Sequence, residues 1–266
     1  VLAARNEGAA SGELNGGTHA GTITDADGRY AFDTLEAGRY ELRAGGPPAT
    51  LTKGAVGGYG AVVRSDVELA AGERLERIDF ELDAGLSIEG RVLDADGVAV
   101  PNAAVFVRDG EGRPVERISS TKSDATGSFQ IEGLAKGRYT LLARGGAMAS
   151  AVVGPVDLAA GSSTPRVELS LEAGTDLIVR VEVDGETDRD ARIRVWDRLD
   201  HEVSGLVGQA DLQREIARGF RAGEHRVGPL PPGTYRVVAR AGDGREQDRR
   251  VELRGQAERR LRIRID

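Results

Sequence analysis

The segment DADGRYAFDTLEAGRYELRA (residues 25–44) returns 99 residues later as DATGSFQIEGLAKGRYTLLA (residues 124–143). Nine of the twenty positions are identical in the two copies. A third and weaker copy, RAGEHRVGPLPPGTYRVVA, occupies residues 221–239. Solenoid repeats span about 20–50 residues, so a period near 100 is the length of a whole domain. We therefore expect one type of domain, used three times in tandem.

The copies have the residue alternation of β-strands. In residues 30–32 and 40–42, large apolar side chains alternate with small or charged ones, which is the two-residue period of a strand. Residues 86–92 and 177–183 continue this pattern, and Asp-Gly pairs such as Asp27-Gly28 supply turns. About seven short strands per copy are typical of an immunoglobulin-like sandwich. The sequence predicts an all-β fold with three tandem seven-stranded β-sandwiches.

A Gly-x-Tyr step occurs at the same place in every copy. The glycines are Gly38, Gly137 and Gly233, and the tyrosines are Tyr40, Tyr139 and Tyr235. A leucine should end the preceding strand each time: Leu35, Leu134 and Leu230. The placement is similar to the tyrosine corner, in which the hydroxyl bonds back to the backbone. We expect these tyrosines to stabilise the corner.

The second copy resembles the carboxypeptidase regulatory-like domains, through IEGRVLDADGVAVPNAAVFV (residues 88–107), SDATGSFQIEGLAKGRYTLLA (residues 123–143) and VDLAAG (residues 156–161). The first copy matches from Asp25 onward, and the third keeps LPPGTY and its terminal strands. The resemblance implies prealbumin-like sandwiches in tandem in a bacterial surface or secreted protein. It also implies a noncatalytic accessory role and an extracytoplasmic location: periplasm, cell surface or outside the cell.

The repeat predicts three domains, at residues 1–85, 86–174 and 175–266, with an insertion around 199–223 in the third. The first domain lacks its opening strand, because VLAAR at its start occupies the place of VFVRD in the second. We expect either a larger protein that begins before Val1 or an outside segment that supplies this strand. In the insertion, Asp211 is expected to cap a short helix.

Composition and charge exclude several classes of protein. The 266-residue chain has a net charge of −7 and no cysteine, which excludes disulfides and thiolate metal sites. Residues 1–174 hold 17 basic and 25 acidic side chains, whereas nucleic-acid binding needs a concentrated basic face. No apolar run approaches the roughly 18 residues of a membrane span. We expect neither a nucleic-acid partner nor membrane insertion.

Candidate catalytic residues are scattered along the chain. His19, His201 and His225 lie in three different stretches, and no nucleophile elbow is present. The carboxylate pairs Asp25/Asp27 and Asp94/Asp96 lie in Asp-Gly turns, and turn chemistry explains them better than calcium, which needs about 6–8 oxygen ligands. The sequence predicts no enzyme, no metal and no cofactor.

The single tryptophan marks the candidate binding surface. In ARIRVWDRLD, Ile193 and Val195 should point inward, so Arg194 and Trp196 should point outward. An outward tryptophan beside arginines suits protein docking or sugar stacking. The alternative is packing under the following insertion or against a neighbouring domain. We expect a protein partner or the adjacent domains of a larger chain, with carbohydrate binding as the alternative; aromatic residues at only 4% of the chain lower the latter.

Overall fold

In the computed structural model, the described residues are 1–5, 19–46, 58–115, 121–205 and 223–266. All regular secondary structure in these ranges is β-strand, which confirms the all-β prediction for this part of the chain. It follows that no helix in these ranges could span a membrane. The helix predicted at Asp211 lies outside the described residues. We call residues 1–85, 86–174 and 175–266 the first, second and third units.

The described part of the first unit forms one antiparallel sheet in the order β2-β1-β3-β4. Its strands are β1 (Leu2–Arg5), β2 (His19–Gly21), β3 (Gly38–Ala44) and β4 (Val62–Leu69). The inward face of this sheet buries Ala3, Tyr40 and Leu42. The expected strand at residues 30–32 does not form, so the prediction of a strand ending at Leu35 is wrong.

The second unit has two layers, β7-β6-β9 and β12-β5-β8, with β11 beside β9. Its strands are β5 (Leu86–Asp94), β6 (Ala104–Asp109), β7 (Thr121–Lys122), β8 (Ser128–Leu134), β9 (Gly137–Gly145), β10 (Met148–Ser150), β11 (Val153–Leu158) and β12 (Arg166–Ala173). The short β10 pairs with both β9 and β12. It is the strand beyond the expected seven, and it joins the two layers into one continuous sheet.

The third unit has two separate sheets. Its strands are β13 (Thr175–Val183), β14 (Glu186–Thr187), β15 (Arg192–Trp196), β16 (Glu224–Leu230), β17 (Gly233–Arg240), β18 (Glu246–Leu253) and β19 (Glu258–Ile265). One sheet holds β13 with β14, β16 and β19, and the other has the order β15-β17-β18. Only Gly174 separates β12 from β13, so the link between these two units is very short.

The strand missing from residues 30–35 has a topological cause. In the second unit β5 pairs in parallel with β12 and antiparallel with β8. In the third unit β13 pairs in the same way with β19 and β16. By the repeat, residues 30–35 match all of β8 except its first residue, and residues 77–84 match β12, but neither segment forms a strand. Both need a central strand between them, because a strand exists only by backbone pairing.

The tyrosine corner is present in all three units. The Tyr40 hydroxyl donates to Glu36 O at 2.6 Å, that of Tyr139 to Ala135 O at 2.8 Å, and that of Tyr235 to Pro231 O at 2.8 Å. Each acceptor lies four residues before its tyrosine, across the Gly-x-Tyr step. Burial raises the pKa of Tyr139 and of Tyr235, so both phenols stay protonated and keep donating. The structure confirms the predicted corner.

Replacing Tyr139 by phenylalanine should lower the free energy of unfolding by about 1 kcal/mol, because Ala135 O then loses its hydrogen-bond donor. Urea denaturation of the variant and the parent measures this difference. Tyr59, whose side chain is exposed, provides the control variant Tyr59→Phe, which should leave the midpoint unchanged. Equal midpoints for Tyr139→Phe and the parent would contradict a stabilising corner.

Candidate functional site

The face of β6 and β9 that points away from the core of the second unit is buried against the third unit. Val105 and Val107 point into the second unit's own core. Phe106 and Leu142 point the opposite way and belong to the core of the third unit, among residues such as Val203. The two units therefore share a packed hydrophobic junction.

Two buried arginines lie in this junction. Arg108 and Arg144 are only 7% and 6% exposed. Arg108 Nη2 donates to Ser204 O at 2.7 Å, and Arg144 Nη2 donates to Val203 O at 3.0 Å. Arg108 also donates to Gly112 O within its own unit. Adjacent backbone carbonyls of the third unit are thus held by two guanidinium groups of the second.

Both arginines are largely removed from water, and one of them lies beside an aromatic ring. The Arg144 guanidinium carbon lies 5.6 Å from the centroid of the Phe106 ring, which is within cation–π range. Burial lowers the pKa of Arg108, and Glu202 opposes this effect. Even so, an arginine keeps its charge at physiological pH. Backbone carbonyl oxygens therefore hold the guanidinium groups of Arg108 and Arg144 in the junction, and the Phe106 ring contacts that of Arg144.

The segment that presents the two carbonyls is itself fixed in place. Ser204 Oγ accepts a hydrogen bond from Val195 N at 3.0 Å and donates to Glu202 at 2.8 Å. The backbone of Val203 donates to Val195 O at 2.8 Å. Because both residues are tied to β15, the acceptors do not have to be ordered when the arginines bind.

A cavity of about 200 Å³ opens beside the junction. Its lining residues include Arg144, Val152, Asp197, Val203, Pro231 and Tyr235. Arg144 already donates to Val203 O, and Tyr235 to Pro231 O. These two polar groups of the cavity lining are therefore engaged in the fold.

Trp196 lies on the outer face of β15, as predicted, since its neighbour Val195 is fully buried. The guanidinium carbons of Arg194 and Arg236 lie 4.7 and 4.4 Å from the centroid of the indole ring. Arg194 Nε donates to Glu202 at 3.2 Å, and this pairing raises the pKa of Arg194. Arg236 donates to Asp200 at 3.1 Å. Trp196 thus packs under two arginines, each of which is held by a carboxylate.

The carboxylates of the Asp-x-x-Gly turns are engaged with the backbone. Asp25 Oδ1 accepts from the amides of Asp27 and Arg29, and Asp94 Oδ1 accepts from those of Asp96 and Val98. The same pair of bonds recurs in the turns that begin at three further aspartates: Asp109, Asp124 and Asp197. Turn chemistry therefore accounts for these carboxylates, as expected.

The histidines make no metal cluster in the described ranges. His201 Nδ1 lies 3.1 Å from Asp197 Oδ2 in a turn of the third unit, and His225 lies on β16. Within the described part of the chain, no group of three or more His, Cys, Asp or Glu residues has metal-binding geometry.

The turn that begins at Asp197 differs from its relatives in one position. Gly28, Gly97, Gly112 and Gly127 have φ between 75° and 77° in the four other turns, but Asp200 stands here with φ 65°. Left-handed backbone is unfavourable for residues with a Cβ. Replacing Asp200 by glycine should therefore raise the free energy of unfolding by about 0.5 kcal/mol, because the relieved strain outweighs the loss of the exposed ion pair with Arg236. Thermal denaturation tests this.

The control for that substitution is Asp96→Gly, at an exposed turn position outside the left-handed region. Glycine there relieves no strain and enlarges the conformational entropy of the unfolded chain, so stability should fall slightly. A loss of stability in Asp200→Gly as large as that in Asp96→Gly would show that backbone strain is unimportant at this turn.

Trp196 and Arg194 were predicted from the sequence as surface residues, whereas the junction residues Arg108 and Arg144 were not. A signal for them exists in the unbroken apolar runs Val105-Phe-Val and Leu141-Leu-Ala. Strands that are apolar on both faces are covered on both sides. Residues 42–44 of the first unit, which correspond to 141–143, read Leu-Arg-Ala. Arginine in place of the outward Leu142 is typical of a strand with one face exposed to solvent.

Residues 87–172 match the family model of the carboxypeptidase regulatory-like domain, a range that runs from β5 through β12. The second unit is a carboxypeptidase regulatory-like domain. The resemblance found in its sequence is thereby confirmed, and Arg108 and Arg144 belong to this regulatory-like domain. No curated protein matches the chain.

The solved structures to which the chain is similar include three bacterial proteins. The Bacillus anthracis TIE protein is 15% identical with a TM-score of 0.28; the match covers 99% of this chain and 46% of that one. Shaft pilin SpaA from Lactobacillus rhamnosus GG is 8% identical, with a TM-score of 0.26 and coverages of 68% and 98%. BcpA, the major pilin subunit of Bacillus cereus, is 12% identical, with a TM-score of 0.26 and coverages of 62% and 67%. The chain spans less than half the length of the first of these.

Proposed function

We propose that the chain is a noncatalytic, extracytoplasmic spacer and protein-interaction segment, built from β-sandwich domains, in a larger surface or secreted protein. The regulatory-like domain at residues 87–172 supports the noncatalytic and extracytoplasmic parts by family resemblance. The domain boundaries at residues 85 and 174 and the description as three sandwiches are part of this proposal.

The packed junction between the second and third units carries the spacer role. A spacer must transmit position, so neighbouring domains must not rotate freely about their link. Here a single residue links the units, Phe106 and Leu142 insert into the next core, and two buried arginines bind adjacent carbonyls. Domain interfaces that lack such a core leave relative motion as the default.

Distance measurements between the second and third units test this rigidity. The chain has no cysteine, so cysteines introduced at exposed Asp96 and Asp248 can be spin-labelled selectively. We expect one narrow distance distribution in the parent and a broad one after combining Arg108→Ala with Arg144→Ala. A matched control combines Arg138→Ala with Arg166→Ala, whose side chains are 70% and 87% exposed. A broad distribution in the parent would refute the rigid spacer.

Carbohydrate binding through Trp196 is the less favoured alternative. A sugar stacks on an open aromatic face, but Arg194 and Arg236 lie over this indole ring, and displacing them would break their bonds to Glu202 and Asp200. Glycan-array screening of the parent and of Trp196→Ala compares the two functions. Specific glycan binding that is lost in Trp196→Ala would replace the spacer proposal with the carbohydrate one.

A further inference from the structure

The contact between the first and second units repeats a feature of the junction between the second and third. Arg43, on β3 of the first unit, donates from Nη1 to Val115 O of the second unit at 2.6 Å. Arg144, on β9 of the second unit, donates to Val203 O of the third unit at 3.0 Å. In both places an arginine of one unit binds a backbone carbonyl of the next.

The two accepting valines occupy the same place in their units. Val115 follows Asp109 by six residues, and Val203 follows Asp197 by six. Each aspartate holds a tight turn through its Oδ1 atom. Each valine also donates its own backbone N–H to the strand before that turn, at 2.9 and 2.8 Å respectively. The accepting carbonyl is therefore fixed by its own unit. We call residues 109–115 and 197–203 the acceptor segments.

The donating arginines lie on equivalent strands and on the same face. Arg43 stands three residues after the corner residue Tyr40, and Arg144 stands five residues after Tyr139. Side chains alternate along a strand with a two-residue period, so both positions lie on the face opposite the buried tyrosines. Leu42, the neighbour of Arg43, is buried in the first unit. Both arginines therefore point away from their own core and toward the next unit.

The glycines that link the units repeat a second contact. Gly85 and Gly174 each donate their backbone N–H to a carbonyl of their own unit, at 2.7 and 2.8 Å. A Cβ on Gly85 would lie 2.6 Å from Gly133 Cα, and a Cβ on Gly174 would lie 2.6 Å from Pro229 Cβ. Gly133 and Pro229 are equivalent, because each directly precedes the leucine of its corner. Both links therefore bring successive units into contact at the same place.

The two contacts differ in the apolar packing that accompanies the arginine. Leu142 belongs to the core of the third unit, and the repeat places Arg43 at this position in the first unit. Among the described residues, the core cluster of the second unit includes none from the first. Arg43 is itself half-buried. We therefore expect the arrangement of the first and second units to depend on this single arginine.

We propose that the acceptor segment is a docking site for the preceding domain, and that Arg43 docks the first unit on the second by binding Val115 O. The partner that the site takes is a β-sandwich domain with an arginine on the outward face of the strand that follows its tyrosine corner. A charged donor makes this hydrogen bond stronger than one between neutral groups. The inference extends the proposed spacer role to the first unit and rests on that role for its function.

Spin labels at two pairs of sites test this docking in the full 266-residue chain. Cysteines at Glu68, whose side chain is 71% exposed, and at Asp96 label the first and second units. The pair at Asp96 and Asp248 labels the second and third. We expect a narrow distance distribution for both pairs in the parent. Arg43→Ala should broaden the first distribution by about twofold or more, since relative motion is the default without a fixed interface, and should leave the second unchanged.

Two further variants separate the hydrogen bond from other effects of the substitution. Arg43→Met keeps much of the side-chain volume but has no donor, so it should broaden the first distribution as Arg43→Ala does. Arg74→Ala removes an arginine of the first unit that is 88% exposed, and it should broaden neither. The carbonyl ¹³C chemical shift of Val115 should move in both Arg43 variants and stay unchanged in Arg74→Ala. A parent-like distribution or an unmoved Val115 shift in the Arg43 variants would overturn the proposal.

Failure of the docking and failure of the spacer function give different results. A broad distribution for the first pair in the parent, beside a narrow one for the second pair, would overturn docking by Arg43 alone. A broad distribution for the second pair would refute the rigid spacer at the junction of Arg108 and Arg144. If the first pair is then still narrow and broadens only in the Arg43 variants, the docking is supported.

Discussion

Replacing Arg108 by alanine is expected to lower the free energy of unfolding by about 2–3 kcal/mol, because a hydrogen bond from a charged group contributes about 1.5–3 kcal/mol and buried acceptors left unmatched add to the loss. The substitution removes the donor of Ser204 O in the third unit and of Gly112 O in the second. It also leaves a gap beside Phe106. Urea denaturation monitored through Trp196, the single tryptophan, reports directly on the third unit.

The free-energy cost of burying the charged Arg108 side chain reduces the loss of stability expected for Arg108→Ala. Burial lowers the pKa of Arg108, which shows that the charged form is penalised, and replacing buried ions by apolar groups is sometimes stabilising. The variant Arg108→Met separates these effects, because it keeps much of the volume and loses the hydrogen bonds. We expect it to be less stable than the parent and more stable than Arg108→Ala.

The control for Arg108→Ala is Arg138→Ala. Arg138 lies on β9 in the same layer, but its side chain is 70% exposed, so its removal should leave the midpoint unchanged. A midpoint for Arg108→Ala equal to or above that of the parent would contradict a stabilising role of the guanidinium group at the junction.

Replacing Gly90 by alanine is expected to destabilise the regulatory-like domain by about 3 kcal/mol, which is the upper range for overpacking of a core. The new Cβ would lie 2.1 Å from Val167 O and 2.4 Å from the Phe129 ring. The ring can turn away, but the carbonyl belongs to β12, which pairs in parallel with β5. The central strand must therefore separate from its neighbour or bend.

Gly58→Ala is the matched control for this substitution. A Cβ at Gly58 would meet nothing within 4 Å, and the backbone there is not in the left-handed region. Because alanine restricts the unfolded chain, this variant should be unchanged or slightly stabilised. A loss of stability in Gly90→Ala no greater than that in Gly58→Ala, measured by thermal denaturation, would show that β5 and β12 are not as closely packed as the structure has them.

Local sequence patterns account for the features that were predicted correctly. The tyrosine corner joins residues four apart, and each Asp-x-x-Gly turn closes within five residues. Strand alternation is equally local, since it depends only on a two-residue period. These features could be predicted because the residues that interact in each of them lie within one short stretch of the chain.

The incorrect and missed features depend on distant partners. Residues 30–32 have the alternation of a strand, yet they form none, because none of the described strands pairs with them. Arg108 and Arg144 look like ordinary strand arginines until the third unit covers β6 and β9. The contact to Ser204 joins residues 96 positions apart, which no local pattern encodes.

Consecutive residues were enough to predict the β-strand content of the described ranges and the carboxypeptidase regulatory-like domain at residues 87–172, because periodicity, turn chemistry and repeated motifs are local features. The junction formed by Arg108, Arg144, Phe106 and Leu142 could be recognised only in the folded chain. Strand pairing and burial depend on two surfaces that the fold brings together, so neither can be predicted from one stretch of sequence. A β-strand is stabilised by the strand that pairs with it, and a buried arginine by the groups that accept its hydrogen bonds. In both cases the tertiary structure determines which residues these are.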